Sequence, residues 1–359
     1  MANLEETIAR IRPLDTAAMA AARARQNELT KPQGSLGRLE ELAILVAGSQ
    51  GRLRPTLRDK AVIVMAGDHG VCEEGVSAYP SEVTPQMVYN FLRGGAAINA
   101  LAGQAGARVR VVDVGVAAEL RPQPGLWQRK VAPGTANIAR GPAMTRQQAV
   151  SALEVGIEAV EAERARGLDM VATGDMGIGN TTPASAIAAA VTGLPAALVT
   201  GRGTGLDDEG LRRKVAVVEQ ILRVNRPDPT DGLDVLAKVG GFEIAGLAGV
   251  ILGAAANNVV VLVDGFISGA AALVAALLCP VVKQRLIQAH LSAEAGHRAM
   301  MRWLGAEPLL DLGMRLGEGT GAALGMMVVE SAVRAMNEMA TFAEAGVAEA
   351  KEAASAAAN

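Results

Sequence analysis

Aromatic residues are scarce in this 359-residue chain: two Trp, two Tyr and four Phe, or 2% of the total. So few π surfaces leave little on which exposed bases could stack. No charge of one sign dominates either. Lys and Arg number 34 against 37 Asp and Glu, a net charge of −3, which is not the basic footprint of a nucleic-acid binder. Cys72 and Cys279 are the only cysteines, too few and too far apart for a disulfide framework or a zinc site. Three histidines add little to any metal-binding capacity. The start of the chain is charged from Glu5 onward and lacks the basic opening and apolar run of a signal peptide. These shortages point to a cytoplasmic protein with no bound metal and no nucleic-acid partner.

What is abundant is apolar sequence, at 50% hydrophobic residues. Ile244–Val263 and Gly265–Val282 carry no charge, with only Asp264 between them. On length alone each reaches across a bilayer. The composition, with Asn257-Asn258 and many Gly and Ala, fits better a helix, a strand and a second helix buried around a parallel sheet. No membrane span is therefore expected. This apolar stretch is also a candidate face for self-association.

From about Lys60 short β-type runs alternate with Ala-rich helical segments. The runs are "KAVIVMAGDHG", "ARVRVVDVGV", "DMVATGDMG", "AALVTGRGTG" and "VVVLVDGF", with a sixth in "CPVVKQRLIQAHLSAEAGH". "TPQMVYNFLRGGAAINALAGQAG" and "EGLRRKVAVVEQILRVN" read as helices between them. Such alternation predicts an α/β fold, a parallel sheet flanked by helices. Ligands of such sheets bind beyond the C-terminal strand ends, where this chain places Gly beside polar or acidic residues. Residues 1–57 read as helices around a Pro/Gly turn at Lys31–Gly37, and residues 322–359 read as helical with an Ala/Glu-rich tail that frays. Together they form a small helical domain, leaving 58–321 as the α/β domain that carries the site.

Four stretches can carry chemistry. In "TGDMGIGNTTPASAIAAA" a strand ends at Gly174, and Thr181 or Thr182 caps the helix that follows, with Pro183 in its first turn. Free N–H groups at a helix start beside glycines make an anion site, though the same loop can simply turn a corner. "TGRGTGLDDEGLRRK" again follows a predicted strand, and Lys214 adds charge to its helix. Its spacing matches neither a Walker loop nor a dinucleotide fingerprint, so a mononucleotide suits the two loops better. In "AGDHGVCEEGVSAYPSEVTPQMV", His69 reads as a hydrogen-bonded structural residue rather than a base, and Tyr79, Pro80 and Met87 can line an apolar slot or belong to the core. Finally, "GEGTGAALG" sets Glu318 between glycines before a helix. It can cap that helix or, its charge disfavoured by burial, act as a general base; the local sequence leaves both open.

Taken together, "KPQGSLGRLE", "AGDHGV", "GVSAYPSEVTPQMV", "TGDMGIGNTT", "GRGTGLDDEGL", "VGGFEIAGLAG", "VDGFIS", "SAEAGH" and "DLGMRLGEGTGAAL" resemble, in order and along nearly the whole chain, the nicotinate-nucleotide:5,6-dimethylbenzimidazole phosphoribosyltransferases. The resemblance implies a Rossmann-like parallel sheet with a small helical domain, assembled as a homodimer. It implies a pentosyltransferase without cofactor or metal, whose partners are nicotinate mononucleotide and a benzimidazole. Glu318 is then the general base, assisted by Asp175, where some members carry Glu. Tyr79, Met87 and Met176 match positions of the benzimidazole pocket. Gly177, Gly179, Asn180 and Thr181, with Gly201, Gly203 and Lys214, match the nucleotide and phosphate region. Ser292, Arg315, Leu316 and Gly317 match positions near the bound rings. Another acceptor such as adenine or a phenol, or a non-catalytic mononucleotide-binding regulator, are the alternatives.

Overall fold

The computed structural model describes residues 3–348. The tail expected to fray, 350–359, lies outside the described residues. Seven strands form one sheet: β1 (Lys60–Gly67), β2 (Ala107–Gly115), β3 (Leu126–Gln128), β4 (Met170–Met176), β5 (Val260–Val263), β6 (Leu286–His290) and β7 (Pro308–Leu310). Every pairing is parallel, in the order β3-β2-β1-β4-β5-β6-β7. This is the expected α/β architecture. β1 and β5 are buried along their whole length, as their largely apolar sequences require when helices cover the sheet; β6 is equally buried although it carries Gln288 and His290. Each fully buried Val, Leu or Ile in them contributes on the order of 1.5–3 kcal/mol.

The strand order places the site. The chain lays β2 and β3 to one side of β1, then returns to lay β4 on the other. The connections leaving β1 and β4 therefore diverge, and a crevice opens beyond their C-terminal ends. In register, Met65 faces Asp175 and Ala66 faces Met176. The two segments that emerge together are Gly67-Asp68-His69 and Asp175-Met176-Gly177.

Ile244–Val282 folds as read. Helices Phe242–Ala256 and Phe266–Leu278 flank β5 and are buried nearly throughout. No described helix is long and apolar enough to cross a membrane. The expectation that this stretch offers a face for self-association is corrected, because the chain's own elements already enclose it.

Three element readings are also corrected. "AALVTGRGTG" contains no strand: Ala196–Val199 is a short helix starting after Pro195, and Leu198 is exposed. The segment 84–106 is two helices, Val83–Leu92 and Ala97–Gln104, separated at Gly94-Gly95. β3 and β7 went unread; each spans three residues, one of them beginning with Pro.

The described chain divides into two compact units. The larger comprises, of the described residues, 3–13 and 57–328 and contains the sheet. The smaller comprises residues 14–56 and 329–348. Within it the helices Thr16–Glu28 and Arg38–Gln50 flank the turn at Lys31–Gly37, where the buried Lys31 and Glu40 pair at 2.7 Å. Arg25 donates to the carbonyls of Met336 and Met339, closing the last turns of a C-terminal helix.

Candidate active site

Beyond the ends of β1 and β4 lies a cavity of about 470 Å³. Its walls bring together the four sequence stretches singled out above. Tyr79 and Met87 come from the region around helix Val83–Leu92, and Asp175, Met176, Gly177, Asn180 and Thr181 come from the end of β4 and the loop after it. Gly203 comes from the second glycine loop, Ser292 from the loop after β6, and Arg315, Leu316, Gly317 and Glu318 from the turn before helix Thr320–Glu338. Three candidate residues stand behind the wall. Gly179 packs against Cys72, where a Cβ would lie 2.5 Å from Sγ. Gly201 backs the carboxylate of Glu294. Lys214 is fully buried, and its Nζ donates to Thr181 Oγ1 at 2.7 Å.

Glu318 does something the local sequence did not offer. It is buried, and it adopts φ 62°, a left-handed conformation costing a side-chain-bearing residue about 1–2 kcal/mol. Strain of this kind collects at functional sites. The turn aims the carboxylate away from its own helix: Oε2 accepts from the Ile98 N–H, at the start of helix Ala97–Gln104, at 3.3 Å. Asp264 takes the capping role instead, accepting from Ala322 N–H at 2.8 Å, with its pKa pushed up to about 8 by complete burial. Burial raises the pKa of Glu318 above the ordinary carboxylate range, and the Ile98 hydrogen bond only partly offsets it. A carboxylate so placed is a stronger base than one in water.

Asp175 lies beside it. Gly317, at φ 81°, is needed here: a Cβ would meet Asp175 Oδ1 at 3.1 Å. Burial pushes Asp175 up to about 7; the Asn180 hydrogen bond pulls it down, and the charges of Glu243 and Glu318 push it further up. That bond, Asn180 Nδ2 to Asp175 Oδ2 at 2.8 Å, corrects the reading of the cap. Helix Thr181–Thr192 starts after Asn180, and neither Thr181 nor Thr182 provides its N-cap. Thr181 is left free to receive Lys214, whose pKa burial lowers to about 8 although the charge of Glu294 raises it. Arg315 Nη1 donates to the Gly203 carbonyl at 2.7 Å, tying the last turn of the wall to the second glycine loop.

His69 is the buried, hydrogen-bonded residue the sequence suggested. Its Nε2 meets Glu243 Oε1 at 2.7 Å; burial opposes its charge, but Glu243, Asp68 and Asp175 together raise its pKa. Glu294, His290 and Phe266 also line the cavity and were not singled out from the sequence. Glu294 lies inside the quoted "SAEAGH", where an acid among small residues reads as an ordinary solvated loop. Among the described residues, no group of three or more His, Cys, Asp or Glu side chains is placed to hold a metal.

A family model described as Phosphoribosyltransferase matches residues 11–347. Nicotinate-nucleotide–dimethylbenzimidazole phosphoribosyltransferase from Roseiflexus sp. (strain RS-1) is 63% identical over 97% of this chain and 98% of its own. The protein of the same name from Desulforudis audaxviator is 60% identical over 97% and 99%. Among solved structures, CobT from Thermus thermophilus superposes with a TM-score of 0.89 at 50% identity, covering 93% of this chain and all of that one (100%). Agreement of this depth, along nearly the whole length of both chains, makes the chain a member of the nicotinate-nucleotide–dimethylbenzimidazole phosphoribosyltransferase family.

Proposed function

We propose that the chain transfers the phosphoribosyl group of nicotinate mononucleotide to 5,6-dimethylbenzimidazole or a related base, releasing nicotinate and α-ribazole 5′-phosphate for assembly of the cobalamin nucleotide loop. The observation that carries this reading is Glu318: a buried carboxylate of raised basicity on a strained turn, in the same cavity as Tyr79, Met87 and Met176.

The chemistry asks little else of the protein. The leaving pyridinium already carries positive charge, so its departure neutralises it and needs no acid. The nucleophile is a neutral ring nitrogen. As it bonds to the anomeric carbon, with inversion, the other ring N–H becomes acidic, and one carboxylate within reach accepts that proton. Glu318 takes this part. Asp175, which burial and the neighbouring acids hold near neutrality, shares the local charge with it and assists. Tyr79, Met87 and Met176 form the slot for the flat acceptor. Lys214, through Thr181, and the backbone around Gly177, Asn180, Gly201 and Gly203 receive the phosphate, while Ser292, Arg315, Leu316 and Gly317 border the rings.

The test is a reaction with nicotinate mononucleotide and a panel of benzimidazoles, adenine and phenols, followed by mass spectrometry. The reading expects nicotinate release only when an acceptor is present, with dimethylbenzimidazole among the preferred ones. Tight mononucleotide binding without product from any acceptor would make the chain a regulator instead. The same reading includes a homodimeric, cytoplasmic enzyme, which sedimentation equilibrium and cell fractionation test.

A further inference from the structure

We infer that Glu294 accepts a hydrogen bond from a ribose hydroxyl of the mononucleotide and so selects ribosyl over deoxyribosyl donors. The inference rests on the proposed transfer and assigns a role to a residue that the proposed mechanism does not use.

The starting point is an imbalance of donors and acceptors. Three carboxylates line the cavity: Asp175, Glu294 and Glu318. Asp175 accepts from Asn180 and Glu318 accepts from Ile98. Glu294 is 7% exposed, and its Oε2 is buried with no hydrogen-bond partner. Leaving a buried acceptor unmade is costly, and more so for a charged one. Its position deepens the imbalance. Oε2 lies against Gly201, where a Cβ would sit 1.9 Å from it. Two residues on, a Cβ at Gly203 would sit 3.1 Å from Lys214 Nζ. An acid and a buried ammonium thus border one short glycine loop, and the charge of Glu294 reaches Lys214.

A carboxylate at the anion end of a cavity repels phosphate unless the ligand brings it donors. Nicotinate mononucleotide has few. Its pyridinium ring has no N–H, and the benzimidazole N–H belongs to Glu318. The remaining donors are the two ribose hydroxyls, on the ring whose exocyclic C5′ carries the phosphate. Carboxylates recognise ribose hydroxyls in this manner at other strand-end sites.

The experiment measures kcat/KM for wild type, Glu294→Gln and Glu294→Ala with nicotinate mononucleotide and its 2′-deoxy and 3′-deoxy analogues, at saturating dimethylbenzimidazole. Wild type is expected to lose on the order of 10- to 100-fold when the hydroxyl held by Glu294 is removed. In Glu294→Ala that ratio falls to near one, and in Glu294→Gln, which still accepts but without charge, it lies between. A merely structural acid lowers activity on all donors equally, so unchanged ratios for both analogues in folded variants overturn the inference. Should wild type turn over no acceptor, the proposed reaction has failed separately. The same comparison made with dissociation constants of ribose 5-phosphate and its 2-deoxy and 3-deoxy forms then decides the role of Glu294: a discrimination lost in Glu294→Ala supports it, and one that is absent for both or retained overturns it.

Discussion

Replacing Asp175 with Asn should stabilise the protein, and by an amount that depends on pH. Asp175 is 7% exposed, and its pKa is moved from 3.8 to about 7 by burial and by the nearby charges of Glu243 and Glu318. A displacement of that size corresponds to about 4 kcal/mol. Because the folded pKa lies above the unfolded one, the fold binds this proton more tightly than the open chain does. The stabilising contribution is fully present below about pH 3.8 and is lost as pH rises through about 7. Asn is neutral, keeps the shape, and still offers an oxygen to Asn180. The advantage of Asp175→Asn should therefore grow by about 1.4 kcal/mol per pH unit between pH 5 and pH 7, then level off. Urea unfolding of both proteins at pH 5, 6, 7 and 8 measures it. The charges of Asp175 and Glu318 act on each other, so the acid limb of the pH–rate profile should also move to lower pH in the variant. A stability difference independent of pH would refute the electrostatic reasoning, whatever its size.

Three further outcomes follow from the same geometry. Glu318→Gln should retain binding of both substrates, measured by calorimetry, while kcat drops on the order of 10²- to 10⁴-fold, the usual worth of a general base. For Lys214, lowered to about 8 by burial, kcat/KM for the mononucleotide should decline above about pH 8 as the ammonium is lost; Lys214→Arg, which does not titrate there, should remove that limb from the pH profile. In Gly177→Ala the new methyl would lie 2.3 Å from the Gly67 carbonyl oxygen, so the ends of β1 and β4 must part; about 1–3 kcal/mol of stability should be lost in denaturant titrations, with at least a tenfold fall in kcat/KM.

The longer strands were readable because their composition permits little else. β1, β4 and β5 are largely apolar runs closed by glycine or polar residues, and burial in a parallel sheet requires such runs; β2, with Arg108 and Arg110 in its half-buried first half, and β6, with Gln288 and His290, keep the β-branched or apolar residues that still mark them. Ala196–Val199 shows where that signal stops. Four apolar residues hold less than two helical turns, so periodicity cannot separate helix from strand; the local signal for a helix is Pro195 immediately before it. β3 and β7 fail in the opposite sense, being short edge strands stabilised by one neighbour rather than by their own sequence. At the site, the loops after β1 and β4 announced themselves through glycines and capping residues. The partner of each side chain did not. Glu318 holds the start of a helix 220 residues away in sequence, and Asp264 takes over the cap that Glu318 leaves empty. Such exchanges are set by tertiary contact and leave no trace in local spacing. Glu294 was missed for the same reason, since its significance lies in a hydrogen bond it does not make.

The central claim is that Glu318 removes the acceptor's proton, and an acceptor with no such proton tests it most directly. 1-Methylbenzimidazole can attack the anomeric carbon through its free nitrogen and leaves a stable cationic product, so no base is required. The measurement is kcat of wild type relative to Glu318→Gln on benzimidazole and on 1-methylbenzimidazole. The account predicts a loss on the order of 10²-fold or more on benzimidazole and a ratio near one on the methylated acceptor. An equal loss on both would contradict it, and would make Glu318 a residue that shapes the cavity rather than one that takes the proton.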